Sequence, residues 1–309
     1  MTGDDTPGAV PAAPRDPDIA LARLVEEGVV WGDAADWLVC LPAGSVDLFF
    51  TSPPYANARR YSEIHPDHYV EWFVPFAEAM LNATAESGSF VLNIKNRVAA
   101  SGALRGQRHP YVYELVLELQ RMGWRWLETY IWSKPNAIPG RFGPRTKDSF
   151  EYVYHFAKGS QPYFDLDAIR VPYRASEQEI ARRRRDQNGR RNTEAGFGRD
   201  RRFTYDKGGA DPGNVIEASQ AYNQHWGPAG QHTAVMPEGL AAFFVRAACP
   251  HGGLIVDPFA GSGTTVVVAR RHGRLAGGVE LHREYVEVSA QRVASDQCES
   301  EPGELRLAV

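Results

Sequence analysis

Residues 252–281 read "GGLIVDPFAGSGTTVVVARRHGRLAGGVEL" and leave this chain few ways to fold. Ile255 and Val256 end a buried strand. Gly261 and Gly263 make a tight turn with close backbone approach, and Thr264 opens a helix whose amide-rich start faces that turn. A second apolar run, "LAGGVEL", follows at once. Strand, glycine turn, helix and strand in this order form a βαβ unit, which belongs in a parallel sheet.

The same alternation runs through the rest of the chain. "VDLFFTS", "GSFVLNIK", "WRWLETYIWSK" and "SFEYVYHFAK" read as further strands. Helical periodicity falls at 66–86, 110–122, 237–248, 264–273 and 283–296. Strands alternating with helices predict an α/β fold with a doubly wound, mostly parallel sheet covered on both faces. Residues 1–18 and 297–309 have no apolar period and read as flexible tails. That leaves a first half at 19–165, an insertion at 166–211 and a second half at 212–296. The insertion has few apolar residues and holds "ARRRRDQNGRRN". It reads either as a solvated linker or as an arm that tracks a phosphate backbone, and composition does not choose.

Bulk properties exclude several classes. No apolar run approaches the ~20 residues of a membrane span, and the first residues lack a signal pattern. Cys40, Cys249 and Cys298 are odd in number and far apart, which suits neither a disulfide framework nor a zinc site, so no metal is expected and a reduced cytosol is inferred. The net charge of −4 argues against indiscriminate coating of nucleic acid.

The glycine loop carries the first chemistry. Glu280 ends the second strand about twenty residues past Asp257, where a nucleotide-binding βαβ unit keeps the carboxylate that grips ribose hydroxyls. No lysine follows the last glycine, so ATP or GTP does not fit. Asp257-Pro258-Phe259 ahead of the glycines would repel a pyrophosphate but suits a cofactor with a cationic amino-acid portion. S-adenosylmethionine is therefore favoured over a dinucleotide and over a glycine turn with no ligand.

The second chemistry sits at "TSPPY", residues 51–55. Two prolines hold a rigid backbone rich in acceptors. Ser52 adds an oxygen, and Tyr55 offers a flat ring for stacking. Acceptors beside a stacking ring suit an exocyclic amino group, whose lone pair is delocalised and weakly nucleophilic. Hydrogen bonds from its N–H groups to Ser52 and to the Pro53 carbonyl would favour attack on a methyl donor. A capping Pro-Pro turn without chemistry is the plainer alternative.

"TSPPY" followed far downstream by "DPFAGSGTT" resembles the β-class DNA amino-methyltransferases. Gly32-Asp33 ahead of the first strand, "IWSKPNAIP", "SFEYVYHFAK", "HTAVMPEGL" and "GGVELHREYV" match that family's pattern in order, so the resemblance covers nearly all of residues 28–292. It implies a Rossmann-like, circularly permuted sheet of seven strands with one reversed. It implies catalysis by Ser52, Pro53, Pro54 and Tyr55. S-adenosyl-L-methionine would be held by Asp33, Thr51, Asp257, Pro258, Phe259, Gly261, Ser262, Gly263, Thr264, Thr265 and Glu280, with Asp33 near the adenine edge and residues 232–237 closing over the methionine end. The insertion stands where the family carries its target-recognition region, making Arg182, Arg183, Arg184 and Arg185 candidates for DNA contact. Arg59 and Arg60, just past the catalytic loop, read equally as phosphate contacts or as ordinary surface arginines.

Double-stranded DNA is the implied partner, and the base must be rotated out of the duplex. Within that family a serine at this position goes with cytosine N4, so N4 is expected over adenine N6. Enzymes that methylate protein glutamine or RNA are further from this pattern, since their glycine loop usually precedes the catalytic loop. A DNA-binding protein that keeps the fold without turnover is the alternative of another class. The resemblance leaves room for a homodimer and for a companion restriction endonuclease in a restriction-modification system.

Overall fold

Leu48, Phe49 and Phe50 are consecutive residues of one strand, and all three are fully buried. Neighbouring strand residues point to opposite faces, so this strand needs cover on both sides. The computed structural model describes residues 10–56, 64–99, 104–137, 140, 143–173, 208–219 and 236–296.

Within them, eight strands form one sheet: β1 (Val29–Trp31), β2 (Val46–Thr51), β3 (Thr84–Ile94), β4 (Arg125–Ser133), β5 (Phe150–Ala157), β6 (Val215–Glu217), β7 (Leu254–Asp257) and β8 (Leu275–Glu280). Their order is β1-β8-β7-β2-β3-β5-β4-β6. All pairs are parallel except those of β5, which runs against both β3 and β4. From β7 the chain winds towards β8, and from β2 it winds the other way towards β3. The order therefore reverses between β2 and β7, which is where an open α/β sheet opens a crevice at its carboxyl edge.

Helices α1 (Pro17–Glu27), α2 (Ala34–Leu38), α3 (Tyr69–Ala83) and α4 (Tyr111–Arg121) cover one face, packing on Phe49, Phe90, Leu92 and Val256. On the other face α5 (Glu238–Ala248) and α6 (Thr264–Arg271) pack on Leu48, Phe50, Val91 and Ile255. The last helix, α7 (Arg283–Asp296), packs beside α6 and β1. A Cβ at Gly277 would overlap Leu24, so α1 lies directly on β8.

Several expectations are corrected. Eight strands replace seven, because Val215–Glu217 adds a short parallel strand outside β4. Gly32-Asp33 follows the first strand instead of preceding it, since Val29–Trp31 already pairs with β8. The N-terminal tail is shorter than expected: Asp16 caps α1 by accepting from the Asp18 N–H at 3.0 Å, and Pro17 and Asp18 form its first turn. Pro at this position costs no hydrogen bond. The insertion also begins later than expected. Ile169 is buried in the second core, and Val171 and Ala210 exchange two backbone hydrogen bonds of 3.0 and 2.7 Å that bring the two ends of the excursion together. Residues 297–309 lie outside the described residues.

Candidate active site at the strand switch

β2 and β7 are paired in parallel, with Leu48 beside Ile255 and Phe49 beside Val256. The register carries their carboxyl tips together. The Thr51 hydroxyl donates to Asp257 Oδ1 at 2.6 Å, and both residues are buried. Asp257 also accepts from the Phe259 N–H at 3.1 Å and, through Oδ2, from the Thr265 hydroxyl at 2.8 Å. Burial pushes this carboxyl up to about 6, against the pull of the hydrogen bonds from Thr51, Thr265 and Phe259. Asp257 was expected to face a cationic cofactor group. Among the described residues its partners are Thr51, Phe259 and Thr265, and through them it ties the tip of β2, the glycine loop and α6 to one another.

Glu280 ends β8, one strand further along. Its Oε2 accepts from the Gly261 N–H and its Oε1 from the His282 N–H, both at 2.8 Å. The carboxylate is 8% exposed, and burial raises its proton affinity. Backbone donors hold it in place and leave lone-pair capacity for a ligand hydroxyl. Beyond it, at the tip of β1, Asp33 is exposed and caps α2 by accepting from the Ala35 N–H at 2.9 Å. Asp33, Glu280, Asp257 and Thr51 thus stand on four adjacent strand tips.

Between Pro258 and Thr264 the loop turns through Gly261 at φ 54° and Gly263 at φ 76°, conformations that favour glycine. A Cβ on Gly263 would come within 2.8 Å of Ser289 Cβ on α7. The hydroxyls of Ser262 and Thr264 face the protein. Arg292, buried in α7, donates to the Ser262 carbonyl at 2.8 Å, to Ser262 Oγ at 3.0 Å and to Thr264 Oγ1 at 2.9 Å. Glu238 at the start of α5 pairs with the same guanidinium at 3.2 Å. What the loop can offer a ligand is its backbone and the Phe259 ring, which packs on Trp72 at 5.7 Å and on Phe76 at 5.1 Å. A buried carboxylate at one strand tip, beside a glycine turn and the Phe259 ring, fits an adenosyl cofactor.

On the other side of the switch, Ser52, Pro53, Pro54 and Tyr55 leave the tip of β2. The Tyr69 hydroxyl donates to the Pro54 carbonyl at 2.9 Å, and Arg97 Nη1 to the Ala56 carbonyl at 2.9 Å. The Tyr55 hydroxyl donates to Glu151 Oε2 at 2.7 Å and lies 3.1 Å from Ser52 Oγ. Burial first, and then the neighbouring Glu151, hold the phenol well above its ordinary value, so it keeps its proton. That proton points at Glu151. The Ser52–Tyr55 contact is then made by the Ser52 O–H, and the Ser52 lone pairs remain to accept from a substrate.

Glu151 is itself paired with Lys134, and both are buried. Asn93 Nδ2 donates to Glu151 Oε2 at 3.3 Å and to the Tyr152 carbonyl at 3.0 Å. The Lys134 ammonium lies 4.2 Å from the centre of the Trp132 ring, and burial lowers its proton affinity while Glu151 raises it. Reading the sequence singled out none of Lys134, Glu151, Asn93, Tyr69, Arg97 and Arg292. The available signal was a lone acid in the apolar run "FEYVYHFA". Arg59, Arg60 and Arg182 to Arg185 lie outside the described residues, as do residues 232–235.

A buried carboxylate beside a glycine turn, meeting an acceptor-lined proline loop at the switch point, is the arrangement of a methyltransferase that uses a nucleoside cofactor. The model of the N6_N4_Mtase family, described as DNA methylase, matches residues 46–291, and the chain belongs to this family of S-adenosylmethionine-dependent DNA amino-methyltransferases. The type II methyltransferase M.PvuII of Proteus hauseri is 27% identical over 87% of this chain and 84% of its own length. M.SmaI of Serratia marcescens is 26% identical over 86% of this chain and 90% of its own. Among solved structures, the cytosine-N4-specific PvuII DNA methyltransferase superposes with a TM-score of 0.63 at 24% identity, covering 85% of each chain. The M1.HpyAVI complex with S-adenosylmethionine superposes at 0.54 with 13% identity, over 86% of this chain and 98% of its own. These superpositions speak for the fold.

Proposed function

We propose that this enzyme methylates the exocyclic N4 of a cytosine rotated out of duplex DNA, at a specific sequence, as the modification arm of a restriction-modification system in the cytoplasm. The observation that carries the reading is the Thr51–Asp257 hydrogen bond of 2.6 Å, which joins the catalytic loop to the cofactor loop across the switch point. Serine at the head of the loop and the likeness to the cytosine-N4-specific PvuII methyltransferase support cytosine N4 over adenine N6.

Bound S-adenosylmethionine supplies an electrophilic methyl group on a sulfonium. Glu280 would take the ribose hydroxyls, the glycine turn at 261–263 would let the methionine portion approach the backbone closely, and Asp33 would receive the adenine edge. Tyr55, fixed through its hydroxyl, presents its ring to the extruded base. Ser52 Oγ and the Pro53 carbonyl accept the two N–H groups of the amine. They would draw its nitrogen towards a pyramidal geometry and stabilise the positive charge that grows as the N–C bond forms and the S–C bond to the methyl breaks, after which the amine would give up one proton to solvent. No covalent enzyme intermediate is required.

The test is methylation of plasmid DNA with isotope-labelled cofactor, followed by hydrolysis and mass analysis of the nucleosides. Labelled N4-methylcytosine is expected. Labelled N6-methyladenine would keep the chemistry and change the base, and an unlabelled digest would reject the function.

A further inference from the structure

Beyond β3 the chain turns back on itself in a part of the molecule that the function above does not use. The His109 N–H donates to the Arg97 carbonyl at 2.8 Å, the Ala99 N–H donates to the Gln107 carbonyl at 2.9 Å, and Val98 bridges Arg108 in antiparallel fashion. From residue 95 to residue 113 the sequence holds Lys95, Arg97, Arg105 and Arg108 and no acid. Arg97 anchors this hairpin to the catalytic loop through the Ala56 carbonyl. The segment leading into β5 lies against it, because Asp148 pairs with Lys95 at 3.4 Å and also with Arg108. That segment adds Arg145 and Lys147, both exposed.

Lys95 and Arg108 share the Asp148 carboxylate, His109 meets Asp67 at 2.7 Å, and Arg97, Arg105, Arg145 and Lys147 stand on the same two segments, on a chain whose net charge is −4. Among the described residues no carboxylate pairs with Arg105, Arg145 or Lys147. Two exposed rings share the surface: Tyr113, 47% exposed, accepts from Asn96 Nδ2 at 3.1 Å, and Phe150, 43% exposed, packs on Tyr152 at 5.3 Å. Concentrated positive charge with interleaved aromatic rings is the chemistry that follows a nucleic-acid strand. Rotating a base out of a duplex turns the nucleotide about its own backbone, so the flanking phosphates need holding where the base enters.

We propose that residues 95–99 and 104–109, together with 143–149, form a phosphate-gripping arm for the DNA strand that carries the target base. The proposal rests on the DNA methyltransferase reading and adds the residues that hold the strand. Arg105, Arg145 and Lys147 project from the fold, so a triple variant Arg105→Ala, Arg145→Ala, Lys147→Ala is suitable for the test.

Calorimetry with S-adenosylmethionine should give an unchanged Kd, which shows that the fold and cofactor site are intact. Duplex binding, measured across salt concentrations, should weaken tenfold or more at low salt. Its salt slope should fall by about one for each cation removed. Arg105→Lys with Arg145→Lys, retaining Lys147, should restore most of both. A triple variant that binds duplex with the wild-type Kd and slope would overturn the arm alone. Wild-type protein that bound no duplex would overturn the function beneath it.

Discussion

Thr51 donates to Asp257 across 2.6 Å, between the tips of two parallel strands whose sequence positions are 206 apart. Through this bond the substrate side and the cofactor side of the crevice hold each other in place. A shift in one loop is felt by the other.

Removing that donor should show a pH signature. Burial raises the Asp257 carboxyl from 3.8 to about 6. The native state therefore holds this proton more tightly than the unfolded chain. The contribution of this group to stability is most favourable below pH 4, falls by about 3 kcal/mol between pH 4 and 6, and is level above that. Thr51→Val removes a hydrogen bond to the ionised form, worth about 1.5–3 kcal/mol. Urea unfolding should find the variant destabilised more above pH 6 than below pH 4. A difference that does not change with pH would contradict this account of the clamp.

Ser52→Ala should separate catalysis from cofactor binding. In the proposed mechanism its oxygen accepts from the substrate amine and takes no part in holding the cofactor. Losing one such acceptor should reduce kcat by about 10²–10³. The Kd for S-adenosylmethionine, read by calorimetry, should stay at the wild-type value. A parallel loss of cofactor affinity would place Ser52 in the wrong role.

Glu280→Gln should do the reverse. The amide oxygen can still accept one backbone N–H, but the carboxylate proposed to meet the ribose hydroxyls is gone. A charged hydrogen bond of about 1.5–3 kcal/mol corresponds to a loss of ten- to a hundredfold in cofactor affinity. Calorimetry checks this directly, and unaltered affinity would remove Glu280 from the ribose site.

Lys134 and Glu151 form a buried pair, and breaking one side leaves a charge stranded. Glu151→Gln should cost about 3–5 kcal/mol of stability in denaturant unfolding. Lys134→Met combined with Glu151→Gln should recover most of that loss. Turnover should stay low in both variants, because neither keeps the carboxylate that orients the Tyr55 proton away from Ser52. Recovery of kcat in the double variant would make Glu151 merely structural.

The long strands, the major helices and both functional loops were legible before any coordinates. "VDLFFTS" and "GGLIVDPF" are apolar on both faces, and the glycines of 261–263 demand backbone that other residues avoid. Val29–Trp31 and Val215–Glu217 were missed because three residues are too short to show a period. Helix α1 was partly hidden behind a proline-rich start that looked like tail. In the site, Glu151 escaped notice because a charge inside a strand has meaning only beside its partner.

The sequence by itself determined which of the longer segments become strand or helix and where the chain must turn, and it marked the two loops that the fold brings together. Those properties depend on hydrophobic period and on the allowed angles of glycine and proline, and both act between near neighbours. Only the tertiary structure decided that Thr51 meets Asp257, that Glu280 receives the Gly261 amide, and that Lys134, Glu151, Tyr55 and Ser52 form one line of contacts. Partners of that kind are chosen by strand order and register. These are set when two helical layers close on a sheet whose strands lie far apart along the chain.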